Sequence, residues 1–162
     1  MRALARRAHA TSELRTKLEK RADAPADVER VLERLAARGW LNDRHFAGDY
    51  ARSRARHRRL GRYRIARELR QKGVDKELIE EALTAVFPAP HDEVEPVRYR
   101  IEKRLRRERP PYTQRVLRSL YDSLLRAGFS STIIREELFS RPEFRRGGTA
   151  GEKPALKENG DE

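Results

Sequence analysis

The feature that most constrains the fold is a helix-ending turn that occurs twice with the same flanking pattern. Gly73 and Gly128 each follow one apolar helical stripe and precede another, and the next residue is apolar, Val74 or Phe129. Leucine or isoleucine stands eight and four residues before each glycine. Glycine is favoured at the left-handed position that ends a helix. The pattern therefore predicts helix–turn–helix units, and nothing alternates with period two for long enough to suggest a strand.

The residues that follow each glycine are placed to begin the next helix. Asp75 and Ser130 stand two residues after their glycines, and their side-chain oxygens could cap the free N–H groups of a helix. The apolar residue between glycine and cap could contact Ile79 in one unit and Ile134 in the other, as a hydrophobic staple. Both units are therefore expected to share one local design.

The first third of the chain fits the same frame if Ala22 stands at the glycine position, although alanine tolerates a positive φ poorly. The anchors Ala22, Gly73 and Gly128 are then 51 and 55 residues apart. This period, with three helices per unit, predicts an all-α fold of three tandem three-helix repeats in an elongated, curved array. We assign residues 1–40 to the first repeat (with a short first helix), 41–88 to the second, 89–144 to the third and 145–162 to a disordered polar tail.

Composition limits the function classes. The 162 residues include 38 Lys+Arg and 26 Asp+Glu, for a net charge of +12, and no cysteine. The absence of cysteine excludes a disulfide scaffold and a cysteine-ligated zinc site. No apolar run is long enough for a membrane span, so we expect a soluble, cytoplasmic protein. The positive charge favours a polyanionic partner, with nucleic acid as the first candidate.

The charge is sorted into blocks along the chain. Residues 44–72 carry a net +9 and residues 98–118 a net +7, whereas residues 73–97 between them carry −6. Blocks of this kind favour contact with nucleic acid. The alternative is that basic and acidic helices pair with each other inside the fold.

The candidate binding residues are the basic side chains of the two positive blocks, which could pair with phosphates or with carboxylates of a protein partner. On a helix predicted from about residue 42 to 57, Arg52, Arg56 and Arg59 share a face if the helix extends that far. The full set is Arg52, Arg56, Arg59, Arg62, Arg67, Arg70, Arg98, Arg100, Lys103, Arg104, Arg106 and Arg107. The alternative for each is a solvated face with weak ion pairs. Contacts of this kind would be salt-sensitive and largely independent of sequence.

Other conspicuous residues are assigned structural roles. Trp40 follows Gly39 at a helix end and is predicted to pack over that turn, Phe46 and Tyr50 are predicted to face inward, and Glu68 to pair with an arginine. The structural set is Gly39, Trp40, Phe46, Tyr50, Ile65, Leu69, Gly73 and Gly128. The four histidines are scattered, and no catalytic constellation is present, so we expect no enzyme activity, no cofactor and no metal.

The central part of the chain contains a series of short segments at fixed spacing, which are Gly39-Trp40-Leu41-Asn42-Asp43, Phe46-Ala47, Tyr50, Arg52, Gly61, Arg64-Ile65, Glu68-Leu69 and Lys72-Gly73-Val74. This series resembles the central motif of the RecX family of bacterial recombination regulators. The opening Leu4-Ala5-Arg6-Arg7, Ser12-Glu13-Leu14 and Lys17-Leu18 is also similar to the family pattern. The resemblance covers residues 2–140, and the departures are the short first helix, Ala22 and the polar tail.

The resemblance implies a regulatory binding protein of three tandem three-helix repeats. Family members bind the RecA recombinase filament on single-stranded DNA, lodge in its helical groove, limit strand exchange and ATP hydrolysis, and also contact DNA. We therefore expect a monomer whose partners are the RecA filament and single-stranded DNA, and which can also bind double-stranded DNA.

Two other function classes remain open from the residues alone. Residues 62–83 have the outline of a helix-turn-helix DNA-binding motif, which would show a sequence preference. Basic amphipathic helices could also lie on an anionic membrane surface, although Tyr50, Ala51 and Ile65 are more typical of a core.

Overall fold

The computed structural model describes residues 10–22, 24–110 and 112–145, and this part of the chain is all-α, as predicted. No strand occurs among these residues. The helices are α1 (Thr11–Glu19), α2 (Pro25–Ala37), α3 (Asp43–Arg58), α4 (Arg62–Gln71), α5 (Lys76–Val86), α6 (Val94–Leu105), α7 (Gln114–Arg126), α8 (Ser131–Phe139) and the single turn α9 (Pro142–Arg145), with a 3-10 turn at Pro90–Glu93. The predicted short first helix and the tail beyond Arg145 lie outside the described residues.

Within the described residues, the apolar stripes form three separate cores in chain order. Leu14, Val28, Leu32 and Leu41 form a small first core. A second is built around Ile65, Leu69, Ile79 and Leu83, and a third around Val97, Ile101, Leu124, Ile134 and Leu138. Because each core joins helices that are neighbours in the chain, the fold is a tandem array of small helical units, as the repeat predicts.

Both predicted glycine turns are left-handed. Gly73 has φ +70° and Gly128 has φ +91°. The amide after each glycine donates to a carbonyl five residues earlier, from Val74 to Leu69 and from Phe129 to Leu124. These bonds are those of a Schellman helix end.

The capping prediction is correct in one unit and wrong in the other. The Ser130 hydroxyl accepts a hydrogen bond from the Ile133 amide at 3.2 Å. Asp75 stands at the N-cap of α5, but its side chain makes no capping hydrogen bond. The turn at Gly73 is therefore defined by its left-handed glycine and by burial of Val74 rather than by a side-chain cap.

The start of a helix from the preceding unit also packs against each glycine turn. The amides of Gly61 and Tyr63 donate to the carbonyls of Ala127 and Gly128 at 2.9 and 3.1 Å. One unit earlier, the Ser12 hydroxyl donates to the carbonyl of Lys72. A side chain at Gly128 would overlap the backbone of α4, so glycine is required for close approach as well as for its φ angle.

An ion-pair network joins α3 to α4. The Tyr50 hydroxyl donates to Glu68 at 2.8 Å, and Glu68 lies 3.1 Å from both Arg54 and Arg64. The prediction that Glu68 pairs with arginine is confirmed. Phe46 is buried beside Tyr50, with the two ring centroids 5.7 Å apart.

Trp40 does not pack over its turn as predicted. The turn itself forms, with Gly39 at φ +70° and a bond from the Trp40 amide to the Leu35 carbonyl. The indole nevertheless remains 50% exposed, and the next residue, Leu41, enters the first core instead. The backbone signal was therefore correct, whereas the packing of the side chain was not.

Candidate nucleic-acid interface

A basic groove of about 350 Å³ lies between α6 and α7. We call it the α6–α7 groove. Its lining residues are Arg100, Lys103, Arg104 and Arg107 on one side, and Ser119, Leu120, Ser123, Leu124 and Arg126 on the other.

Helical spacing explains why these side chains meet. Residues 100, 103, 104 and 107 recur at the spacing of one helix face, while Val97, Ile101 and Leu105 turn towards the third core. On α7, residues 119, 123 and 126 have the same spacing. Leu120 and Leu124 are buried in the core and form the apolar floor.

The groove has an excess of positive charge that carboxylates within it do not balance. Arg104 pairs with Glu108 at 3.0 Å. Lys103, Arg107 and Arg126 have no carboxylate within ion-pairing distance in the part of the chain that the structure describes. Arginine and lysine pair readily with phosphates, and serine hydroxyls can donate to phosphate oxygens. Lys103 lies 5.9 Å from the centroid of the Tyr99 ring, but a polyanion in the groove would have no carboxylate to displace at these three cations.

Arg100 forms one wall of the groove, and hydrogen bonds to the end of α3 hold its side chain in place. Its guanidinium donates to the carbonyls of Arg58 and Arg59, each at 2.8 Å. Burial lowers the pKa of Arg100, and the nearby charges of Arg64 and Arg59 add to this effect. Arg100 thus binds the C-terminal end of α3 to α6 and fixes one side of the groove against the second unit.

Arg59 does not share the helix face of Arg52 and Arg56, because the condition for this, a helix that extends to Arg59, is not met. Helix α3 ends at Arg58, and Arg59 adopts a left-handed conformation with φ 47°. Its guanidinium lies 3.8 Å from the centroid of the Tyr99 ring, a cation–π contact across the two units. The helix is too short to carry Arg59 onto the predicted face.

Three other predicted binding residues form ion pairs with carboxylates of this chain. Arg98 contacts Glu137 through two hydrogen bonds of 2.7 and 3.0 Å. Two further pairs are Arg62 with Glu80 at 3.0 Å and Arg52 with Asp49 at 2.6 Å. For Arg62 the pairing partner belongs to the acidic block, as the alternative interpretation of the charge pattern anticipated.

Four more predicted residues are exposed but lie outside the groove lining. Arg56, Arg67, Arg70 and Arg106 have no carboxylate partner among the described residues. Tyr63, which sequence reasoning passed over, is also exposed and stands at helical spacing to Arg67 and Arg70. The structure therefore brings together only part of the predicted set, namely Arg100, Lys103, Arg104 and Arg107.

Sequence reasoning missed the α7 side of the groove. Ser119, Ser123 and Arg126 recur at one face of α7, and this spacing was a usable signal. The sequence shows the apolar stripe of α7 directly, but it does not show that the polar face of this helix lies against the second basic block.

No helix of the described residues is long and apolar enough to cross a membrane. In the same part of the chain, no group of three or more histidine, aspartate or glutamate side chains is placed to hold a metal ion.

Comparisons with known proteins agree with the fold and the repeat. A family model described as the second three-helix domain of RecX matches residues 42–83. The chain is 37% identical to the regulatory protein RecX of Mycolicibacterium smegmatis over 90% of this chain and 81% of that protein. It is 38% identical to the regulatory protein RecX of Mycobacterium leprae over 90% of this chain and 87% of that protein.

Two solved structures share the architecture. A crystal structure of a regulatory protein RecX superposes with a TM-score of 0.72 at 27% identity, covering 83% of this chain and 67% of the other. The RecX structure from Lactobacillus salivarius also gives a TM-score of 0.72, at 22% identity, over 86% of this chain and 89% of the other, and so supports the fold alone. Because the chain is 37% and 38% identical to these two regulatory proteins over more than two thirds of both chains, it belongs to the RecX family of regulatory proteins.

Proposed function

We propose that this chain is a monomeric regulator that binds the RecA recombinase filament on single-stranded DNA and lowers its ATPase and strand-exchange activity in recombination and repair. The observation that carries the proposal is the α6–α7 groove, in which Lys103, Arg107 and Arg126 lack carboxylate partners among the described residues. Membership of a family of regulatory proteins supports it.

The groove suits a nucleic-acid backbone rather than base readout. Its lining supplies cations and hydroxyls for phosphates, and none of the described lining residues is aromatic. Contacts to phosphates alone carry no sequence information and weaken as salt rises. A regulator of a filament that forms on any sequence needs this kind of contact.

The helix-turn-helix alternative is disfavoured by the charge of α5. In that motif the second helix enters the major groove and contacts base edges. The second helix of residues 62–83 is α5, whose exposed face carries Glu77, Glu80 and Glu81. Glu80 pairs with Arg62 and Glu81 with Arg44, which leaves the Glu77 carboxylate to repel the phosphates that line the groove.

The proposal is tested by titrating the single-stranded-DNA-dependent ATPase of the recombinase with this protein. We expect the rate to fall well below one copy of this chain per recombinase subunit, because a filament regulator acts on many subunits. A rate that stays constant until the protein coats the DNA would instead indicate simple competition for phosphates and would overturn the proposal.

A further inference from the structure

A second groove, of about 500 Å³, lies between α7 and α8 and adjoins the α6–α7 groove at Ser119 and Arg126, which line both. We call it the α7–α8 groove and define it by Arg115, Leu117, Arg118, Tyr121, Leu138 and Phe139. Leu117, Tyr121, Leu138 and Phe139 give it an apolar floor, and the Phe139 side chain is 40% exposed. Arg115 and Arg118 lie at its rim.

The repeat shows what kind of surface this is. The 55-residue spacing of Gly73 and Gly128 aligns residues 62–64 at the start of α4 with residues 117–119 at the start of α7. In the second unit, Gly61 and Tyr63 bind the turn at Gly128, and Arg64 donates to the Arg126 carbonyl at 3.3 Å. In the third unit the equivalents of Tyr63 and Arg64 are Arg118 and Ser119, which line the α7–α8 groove, whereas the equivalent of Gly61 is Val116, which lies outside it. The groove therefore overlaps in part with the face by which one unit binds the next.

The charge of the α7–α8 groove indicates which kind of partner it would bind. Arg115 and Arg118 have no carboxylate partner in the part of the chain that the structure describes, and Asp122 is the one acidic residue of the lining. An apolar floor below unpaired guanidinium groups is complementary to a helix that carries bulky apolar residues on one face and carboxylates beside them.

A second copy of this chain fits the groove less well. To dock as the third unit docks on the second, it would present the turn between α1 and α2. At that turn the described residues, Lys20 to Ala22, contain no glycine. A side chain at the equivalent Gly128 would overlap the backbone of Arg64. Head-to-tail association in this geometry is therefore sterically opposed.

We infer that the α7–α8 groove is a protein-docking site for an acidic amphipathic helix of a partner protein. Helix α7 would then bind a polyanion in the α6–α7 groove and an acidic protein segment in the adjoining α7–α8 groove. The inference rests on the proposed function, because that function requires a protein partner. Its test uses neither recombinase nor DNA, so that either conclusion can fail while the other stands.

The test measures binding of a fluorescein-labelled synthetic peptide to the full chain by fluorescence anisotropy. The peptide has about 14 residues, roughly the length of α7, with leucines on one helical face and glutamates elsewhere. We expect saturable binding that Arg115→Glu/Arg118→Glu weakens by about tenfold or more. The matched control is Arg34→Glu/Arg38→Glu, which makes the same charge change at exposed arginines of α2 and the turn after it. It should stay within about twofold of the unmodified chain.

Three results would overturn the inference. One is equal binding of a scrambled peptide with the same composition, because this would show that charge alone is recognised. Another is equal weakening by the control variant, with circular dichroism confirming that both variants fold. The third is absence of peptide binding together with a dimer in sedimentation that Arg115→Glu/Arg118→Glu dissociates, because a second copy would then be the occupant.

Discussion

At the scale of single residues, two glutamates show how local surroundings set opposite protonation behaviour. Glu93 is buried, and its carboxylate accepts a hydrogen bond from the Arg62 amide at 2.8 Å. Burial raises the pKa of Glu93 and outweighs this bond. Burial also opposes ionisation of Glu68, but hydrogen bonds from Tyr50 and Arg64 and the charges of Arg54 and Arg64 prevail, so the pKa of Glu68 is lowered.

These shifts predict opposite pH effects for the two glutamine variants. The pKa of Glu93 is 4.5 in the unfolded chain and higher in the folded chain. At a pH between these two values the folded chain holds more protons than the unfolded chain, so the contribution of Glu93 to stability falls as pH rises. Glu93→Gln should therefore gain stability relative to the unmodified chain as pH rises through this window.

Glu68 should behave in the reverse sense. Its contribution is fully present above 4.5 and is lost as pH falls through the lowered folded pKa, so Glu68→Gln should be less stable at neutral pH and approach the unmodified chain in acid. Urea unfolding of both variants between about pH 2.5 and 7 measures this, because the Glu68 window lies below 4.5. Parallel pH profiles for the two variants would contradict the assignment.

Gly128 is the residue at which the sequence made its sharpest structural prediction. It needs a positive φ and also lies against the backbone of α4, whereas Gly39 has a positive φ with nothing within 4 Å of the place that a β-carbon would occupy. Gly39→Ala should cost about 1–2 kcal/mol for the left-handed backbone alone. Gly128→Ala should cost clearly more, because the contact between units must also open. Equal losses in urea unfolding would show that the close approach adds nothing.

At the scale of elements, the helices and their ends were largely predictable because they depend on local signals. Apolar spacing located α4, α5, α7 and α8, and glycine located the turns at Gly73 and Gly128. The helix predicted from about residue 42 to 57 spans Asp43–Arg58, so its end was also located. The left-handed φ of Arg59 was not predicted, because arginine rarely adopts it and no local pattern signals it. The contact that accompanies this conformation, with Tyr99, joins residues far apart in sequence.

The junction between the second and third units gives an element-scale prediction. Arg100 holds the last carbonyls of α3, next to the Gly61 and Tyr63 amides that bind the Gly128 turn. Arg100→Ala should therefore speed hydrogen exchange of these two amides several-fold. The Trp40 amide should be unchanged, because it lies in the turn between α2 and α3, away from this junction. The control is Arg106→Ala, an exposed residue just beyond α6. The same acceleration in the control would rule out a specific role for Arg100 at the junction.

At the scale of the whole molecule, the sequence predicted that charge would collect on a surface but not which residues would form it. Of the twelve basic residues chosen, Arg100, Lys103, Arg104 and Arg107 meet in the groove. Others, such as Arg98 with Glu137, form ion pairs that only the packing of distant helices reveals. The α7 half of the groove needed knowledge of which helix lies against α6.

The central claim is that this chain regulates a recombinase filament through the α6–α7 groove. The most direct test compares the single-stranded-DNA-dependent ATPase of the recombinase during titration with the unmodified chain, with Lys103→Glu/Arg107→Glu, and with the control Arg34→Glu/Arg38→Glu. We predict that the unmodified and control chains lower the rate at substoichiometric ratios, whereas the groove variant needs about tenfold more protein or greater. Three coincident curves from folded proteins would contradict the account.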